Sequence, residues 1–303
     1  MNAPPRHTPP PRFLLCRPQH FAVTYSINPW MDPARWAQAH ADEARSQWAA
    51  LEGALREAGA VLEFVEPQAE LPDLVFTANA AVVLDGKALL ARFRHPERRR
   101  EEPVFAAAFA ALRAHASIEK IVELPHDIVL EGAGDCIYDP HRRMFFMGYG
   151  QRSDASAAAV VEEEFGVRCV PLQLASASFY HLDTALCALP CGGVIYHPEA
   201  FTAAALGRLY AHVGAADRIA LTREDAQAFS ANAVCVGRTI VMSSASDALR
   251  RQLAMRGYTV VATPLTAFLK SGGSACCLTL RLDRRTVVPA DLPAELRAAT
   301  GSI

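Results

Sequence analysis

Phe268-Leu-Lys-Ser-Gly-Gly-Ser-Ala-Cys-Cys-Leu-Thr-Leu280 runs apolar, then flexible, then apolar again, and carries two cysteines at its exit. Gly272 and Gly273 allow the backbone to turn tightly without a steric cost, and such a turn can present the side chain that follows it. From Cys277 to Leu282 small or apolar residues alternate with polar ones, which reads as a strand with Cys277 at its start. An unpaired cysteine is commonly a small buried hydrophobe. A catalytic thiol here requires a histidine and a carboxylate delivered from elsewhere in the chain.

Working back from Cys277, a polar residue recurs at a turn ahead of an apolar hairpin at Asn232, His181, Glu131, Asn79 and Asn28. The steps are 45, 51, 50, 52 and 51 residues. Between these points the order of elements repeats as hairpin, helix, strand. Asp85-Gly86, set between the apolar runs Ala80 to Leu84 and Lys87 to Arg92, is a strong hairpin signal. Helices are predicted over residues 33–59, 103–115, 155–165, 199–213 and 247–257. In the first of these Ala37, Ala41, Ala44, Trp48, Leu51 and Leu55 form one apolar face. A period of about fifty over the whole chain signals an internally repeated architecture. The expectation is an α/β fold of five ββαβ units around a pseudo-axis, with the last strand closing against the first segment and the turn residues meeting at a central pocket.

The sequence of 303 residues is 51% hydrophobic and 20% charged, as in a soluble globular protein, and no linker divides it. We expect a disordered proline-rich leader over residues 1–12, without the apolar core of a signal peptide, and a single catalytic domain over 13–303. A net charge of −2 gives no electrostatic footprint for nucleic acid or an anionic membrane, and no apolar run is long enough to span one. A small-molecule partner is therefore expected, and a homo-oligomer is left open. The eight cysteines are scattered without a Cys-x-x-Cys, which points to reduced thiols in a cytoplasmic setting. Cys187 and Cys191 lack a matching histidine pair, so no metal site is expected there, and nucleophilic thiol chemistry requires no metal or cofactor.

Any one of the turn residues alone is more often structural than catalytic. A thiol, an imidazole and a carboxylate brought in phase by three repeats are a nucleophile, a proton shuttle and an acidic partner. Five motifs then carry a resemblance: Asn28-Pro-Trp-Met31, Pro72-Asp-Leu-Val-Phe-Thr-Ala-Asn79, Glu131-Gly-Ala-Gly-Asp135, His181-Leu-Asp183 and Gly272-Gly-Ser-Ala-Cys-Cys-Leu-Thr279. In this order, across about 250 residues, they resemble the guanidino-group-modifying enzymes of the pentein β/α-propeller fold. That group includes arginine deiminases, dimethylarginine dimethylaminohydrolases, amidinotransferases and arginine dihydrolases.

The resemblance implies Cys277 as nucleophile, His181 as general acid/base and Glu131 as the carboxylate that meets a substrate nitrogen. It further implies Asp183 as a second guanidinium clamp and Arg152 and Arg98 as binders of the substrate α-carboxylate. Asp73, Asn79, Asn28 and Asn232 complete the expected binding set. A cationic histidine would lower the thiol pKa and protonate the departing ammonia. Dimethylargininases usually carry His-Leu-Lys where this chain has His181-Leu-Asp183, and deiminases carry an Asp where it has Asn79. An asparagine both donates and accepts, so it can also hold the neutral ureido group of a citrulline-like intermediate. The pattern is thus most similar to arginine dihydrolases, which convert arginine to ornithine, ammonia and carbon dioxide. The alternatives are a dimethylargininase, an amidinotransferase and an arginine-binding regulatory protein.

Overall fold

The structure is a computed structural model that describes residues 9–286 except residue 116. Among the described residues fifteen short strands form five three-stranded sheets. In chain order β1 (Arg12–Cys16), α1 (Gln38–Glu57) and β2 (Val61–Val65) open the fold. The second unit is β3 (Ala81–Leu84), β4 (Lys87–Leu90), α2 (Glu102–Ala114) and β5 (Lys120–Val122). The third is β6 (Cys136–Asp139), β7 (Met144–Tyr149), α3 (Ala157–Phe165) and β8 (Cys169–Gln173). The fourth is β9 (Leu186–Ala188), β10 (Val194–Tyr196), α4 (Ala203–His212) and β11 (Arg218–Ala220). The fifth is β12 (Val234–Val236), β13 (Thr239–Met242), α5 (Asp247–Met255) and β14 (Thr259–Ala262), after which β15 (Leu280–Arg281) ends the series.

Each sheet obeys one rule. Its first two strands pair antiparallel, and the strand beyond the helix pairs parallel with the second. The tight connection makes the hairpin, and the helix supplies the crossover that a parallel pair requires. Asp85 and Gly86 take φ of 52° and 75°, the left-handed pair of a two-residue hairpin turn. β15 supplies the missing first strand of the opening unit, with Leu14 opposite Leu280, while Phe13 pairs parallel with Leu62. The chain therefore closes on itself, and the five ββαβ units are a pentein-type α/β propeller.

The helices cover the sheets from outside. Trp48, Leu51 and Leu55 of α1 are buried with Phe13, Leu62 and Phe268 in one apolar cluster. Phe105, Phe109 and Leu112 of α2 pack in the next cluster with Val83 and Ala88. Each cluster joins neighbouring units, so burial locks the repeats together.

Four expectations need correction. The helix over 33–59 is divided into a 3-10 turn at Pro33–Arg35, capped by the Asp32 side chain, and α1 from Gln38, because Trp36 and Ala37 are extended. Ala37 is consequently exposed. The helix over 199–213 is likewise divided into a turn at Pro198–Ala200 and α4. Cys277 does not begin a strand; Leu278 N–H bonds Ser274 O and Thr279 N–H bonds Cys276 O, so the thiol sits in a helical turn ahead of β15. Arg12, placed in the leader, opens β1 and pairs with Val61. Residues 1–8 of that leader lie outside the described residues.

Candidate active site

Asn79, Glu131, His181, Asn232 and Cys277 each lie two to five residues ahead of the first strand of a sheet. Equivalent strands converge on the pseudo-axis, so equivalent turns do too. Asn28 is out of this series, since it follows β1 instead of preceding a hairpin. It reaches the centre from another direction, as do Arg98 after β4 and Arg152 after β7. Asn28, Asp73, Asn79, Arg98, Arg152, His181 and Cys277 line one small cavity, together with Ile27, Phe76, Tyr180 and Ser271. Glu131, Asp183 and Asn232 stand behind that lining, in contact with His181 and Cys277.

The thiol is held on three sides. Cys277 Sγ donates to Asp183 Oδ2 at 3.1 Å and accepts from Asn232 Nδ2 at 3.0 Å. Asn232 Oδ1 accepts the Cys277 N–H at 3.1 Å, and its second amide hydrogen goes to the Asp183 carbonyl at 3.1 Å. Both polar atoms of the Asn232 side chain are thereby spent on fixing Cys277 and Asp183. Asp183 Oδ1 is buried without a hydrogen-bond partner among the described residues. A buried acceptor left unpaired is costly, and a substrate N–H would remove that cost.

The imidazole is held from the other side. His181 Nε2 lies 2.8 Å from Glu131 Oε2, which also accepts from Arg152 Nη1 at 3.0 Å. Glu131 Oε1 accepts the Arg94 N–H at 3.1 Å. Burial works against the Glu131 charge, but Arg152 and then His181 outweigh it and hold the carboxyl well below the usual range. Burial pushes His181 down to about 4 against the upward pull of Glu131. An ionised Glu131 facing a neutral imidazole places the proton on Nε2 and leaves Nδ1 as the base.

Burial pushes Asp183 up to about 7, against the bond from Cys277, and burial followed by Asp183 raises the Cys277 thiol well above its ordinary value. This modifies the expected picture of a thiolate paired with a cationic histidine. In the closed pocket the partner of the sulfur is a carboxylate, the thiol keeps its proton, and the imidazole is neutral. Removing both groups from water disfavours their charged forms, so a cation must enter before the thiolate forms.

The arginines are less free than the sequence suggested. Arg98 forks onto Glu101 at 2.9 and 2.7 Å, bonds Asn79 Oδ1 at 2.8 Å and reaches the Asp73 carbonyl at 3.2 Å. It thereby fixes the Asn79 amide, whose Nδ2 donates to the Glu131 carbonyl at 3.1 Å. Arg152 also bonds the Ile27 carbonyl at 3.1 Å and lies 4.6 Å from the Tyr180 ring centroid. Asp73 accepts from Tyr25 Oη at 2.8 Å. Asn28 donates to the Ser271 carbonyl at 3.1 Å.

Several contributors had no assignment from sequence. Ser153 accepts the Glu131 N–H at 3.0 Å and donates to Asp135 Oδ2 at 2.6 Å, while Asp135 Oδ1 accepts the Leu182 N–H at 3.0 Å. These bonds tie the Glu131 turn to the His181 turn. Asp135 stood inside a quoted motif and Ser153 beside Arg152, but neither carried a signal of its own. Above the pocket, Tyr180 Oη donates to the Gly272 carbonyl at 2.7 Å and Trp30 Nε1 to the Ser178 carbonyl at 2.8 Å. The enclosed space is about 10 Å³, room for roughly one water. The space as it stands is too small for an amino acid.

Among the described residues no group of three or more His, Cys, Asp or Glu is placed to hold a metal ion. All eight cysteines are free, and no described helix is long and apolar enough to cross a membrane.

A family model described as N,N dimethylarginine dimethylhydrolase, eukaryotic, matches residues 17–284. The bifunctional arginine dihydrolase/ornithine cyclodeaminase AgrE of Nostoc sp. is 41% identical over 271 residues, which cover 89% of this chain and 38% of that protein. The chain thus spans well under half the length of that relative. The N(G),N(G)-dimethylarginine dimethylaminohydrolase of Mycobacterium tuberculosis is 35% identical over 283 residues, 93% of this chain and 89% of the relative. Among solved structures, the N-terminal domain of ArgZ, a cyanobacterial arginine dihydrolase described as a cysteine-to-serine mutant bound to substrate, superposes with a TM-score of 0.86. It is 38% identical and covers 91% of this chain and 100% of its own. An asparagine-to-serine variant of the same domain is described as covalently bonded to a reaction intermediate.

Proposed function

The chain belongs to the N,N dimethylarginine dimethylhydrolase family of penteins, and we propose that within it this protein is a cysteine-dependent hydrolase of the guanidino group of arginine. The observation that carries the reading is that Cys277 and His181 line one closed cavity, with Asp183 behind the thiol and Glu131 behind the imidazole. A guanidinium is a planar, resonance-stabilised cation, so it needs carboxylates to hold it and a strong nucleophile to attack its carbon. Asp183 beside the thiol and Glu131 beside the imidazole supply the carboxylates, and Cys277 supplies the nucleophile.

The steps follow from the charges. Entry of the guanidinium supplies the missing cation, which favours ionised Asp183 and lowers the thiol pKa. The proton of Cys277 passes to neutral His181 as the sulfur bonds the guanidinium carbon. His181 then returns that proton to the departing nitrogen, and ammonia leaves a thiouronium on Cys277. His181 next takes a proton from water, the hydroxide adds to the same carbon, and the carbon–sulfur bond breaks to give citrulline and free thiol. Arg152 and the remaining Arg98 N–H face the region where the substrate α-carboxylate would lie.

Asn79 decides whether the reaction continues. Its carbonyl is occupied by Arg98 and one amide hydrogen by Glu131 O, which leaves one N–H for the pocket. That donor suits a neutral ureido oxygen, which an Asp could not serve. A second round on the ureido group would release another ammonia, carbon dioxide and ornithine. The arginine dihydrolase named among the relatives supports this two-step outcome. A dimethylargininase is the second reading, favoured by the Mycobacterium tuberculosis relative, which matches this chain over nearly the whole of both proteins.

Incubation with arginine, with ammonia, citrulline and ornithine followed over time, tests the proposal. Two ammonia per ornithine, abolished by Cys277→Ser, is the expected result. One ammonia per citrulline would limit the protein to a single hydrolysis. Turnover of dimethylarginine alone would establish the second reading, and turnover that rises with added glycine or lysine would indicate amidino transfer.

A further inference from the structure

The first strands of the five sheets enclose a second cavity along the pseudo-axis. It has about 90 Å³ of space, and its walls come from β3, β6, β9, β12 and β15 and the residues beside them. It shares no lining residue with the catalytic pocket. Chain neighbours separate the two: Ala78 and Cys276 line the axial cavity, whereas Asn79 and Cys277 line the catalytic one.

The charge in this cavity is one-sided. No Asp or Glu lines it, while Arg281 and Arg284 do. Arg281 is neutralised by Asp283, with Nε 2.9 Å from Oδ1. The half-buried Arg284 side chain has no hydrogen-bond or ion-pair partner among the described residues. Burial, and then the charge of Arg281, weigh against its protonated form. Tyr138, another wall residue, is 3% exposed, and its hydroxyl has no hydrogen-bond partner among the described residues. Withdrawing a guanidinium and a hydroxyl from water without partners is unfavourable, and a bound anion offsets that cost.

The rest of the wall narrows the class of anion. Ala78, Ala133, Ala188 and Val234 are apolar, and the thiols of Cys235 and Cys276 are weak donors. The planar fork of an arginine matches a carboxylate with two parallel bonds. The space accommodates roughly half a dozen heavy atoms, at about 10–15 Å³ for each water-sized unit. No acidic side chain lines the cavity to balance an ammonium charge, so α-amino acids, arginine and ornithine included, are poor fits. We propose that the axial cavity is a binding site for a small monocarboxylate with a short apolar body, held by Arg284.

Titration calorimetry with butyrate tests this, with butanol and butylammonium as the matched neutral and cationic probes. The proposal expects butyrate to bind and the other two not to, with affinity unchanged in Cys277→Ser and in the presence of saturating arginine. Arg284→Gln should weaken butyrate roughly ten- to a hundred-fold, the range of a charge-assisted hydrogen bond. Arg284→Lys should fall between the two. Ala188→Leu, which fills the cavity and leaves Arg284 in place, should also weaken binding, so the test stands even if Arg284→Gln fails to fold. No heat with butyrate, equal binding by Arg284→Gln and the native protein, or displacement by arginine would overturn the proposal. Tighter binding of inorganic phosphate than of butyrate would overturn the assignment to carboxylates.

Discussion

Cys277 Sγ lies 3.1 Å from Asp183 Oδ2, so the partner of the sulfur in the closed pocket is a carboxylate. Neighbouring negative charge makes a thiolate harder to form. Under the proposed mechanism the sulfur becomes a strong nucleophile only when a cation joins the pair.

The first prediction concerns pH. Asp183 is raised to about 7 by burial, so in the empty pocket it is protonated below that value and ionised above it. A cationic guanidinium binds the ionised form. The value of kcat/KM for arginine should therefore rise with pH through about 7, and Asp183→Asn should remove that limb and most of the activity. A profile flat between pH 6 and 8 would contradict the role given to Asp183.

Asn232→Ala removes three bonds that fix Cys277 and the Asp183 carbonyl. We expect kcat to fall roughly a hundred-fold or more with a small change in KM, since Asn232 does not line the pocket. The melting temperature should fall too, because the buried Cys277 N–H and Asp183 O lose their partner at about 1–3 kcal/mol. Steady-state kinetics beside a thermal melt separate the two effects.

Gly134→Ala tests Asn79. A Cβ at Gly134 would clash with Asn79 Nδ2, and that amide is pinned by Arg98 and the Glu131 carbonyl. The amide must turn or retreat, so the ureido step should suffer more than the first hydrolysis. The ratio of ammonia to amino acid product should fall from two toward one as citrulline accumulates. An unchanged ratio with lower rate would show that Asn79 does not govern the second step.

His181 links activity to stability. Its pKa is lowered by burial to about 4 from an unperturbed 6.5. Between these values the unfolded chain binds a proton that the folded protein does not, so this group's contribution to stability grows as pH rises from about 4 to 6.5 and is complete above that. His181→Asn should reduce the loss of stability on acidification across that window, by at most about 3 kcal/mol. Denaturant melts at pH 4.5 and 7 measure the difference.

Much of the fold was legible because one order of elements is repeated at nearly constant spacing, with apolar runs marking the strands and Asp85-Gly86 marking the β3–β4 hairpin. The closing of β15 on β1 followed from the same count. Asn28 was misplaced because its spacing of 51 matches the period although the loop it occupies follows a strand. The strand expected from Cys277 failed because Ser274 and Cys276 accept backbone bonds that fold the segment into a turn first. Trp36 and Ala37 broke the first helix where its alanine-rich periodicity gave no warning. Ser153, Asp135 and Glu101 were not legible as contributors because each acts by positioning another residue, and Tyr180 because it stands beside His181 with no motif signal of its own. The axial cavity was also invisible, since its walls are ordinary alternating residues of inner strands, and only the convergence of five strands makes them a site.

The central claim is that Cys277 carries the substrate's guanidino carbon, and trapping that adduct tests it most directly. The protein would be acid-quenched during turnover of arginine, and its intact mass and peptides measured. The account predicts a thiouronium-sized mass increase on the peptide that contains Cys277, mapped to that residue, and its absence in Cys277→Ser. Full turnover without an adduct in any quench, or an adduct on Cys276 that survives Cys277→Ser, would contradict it.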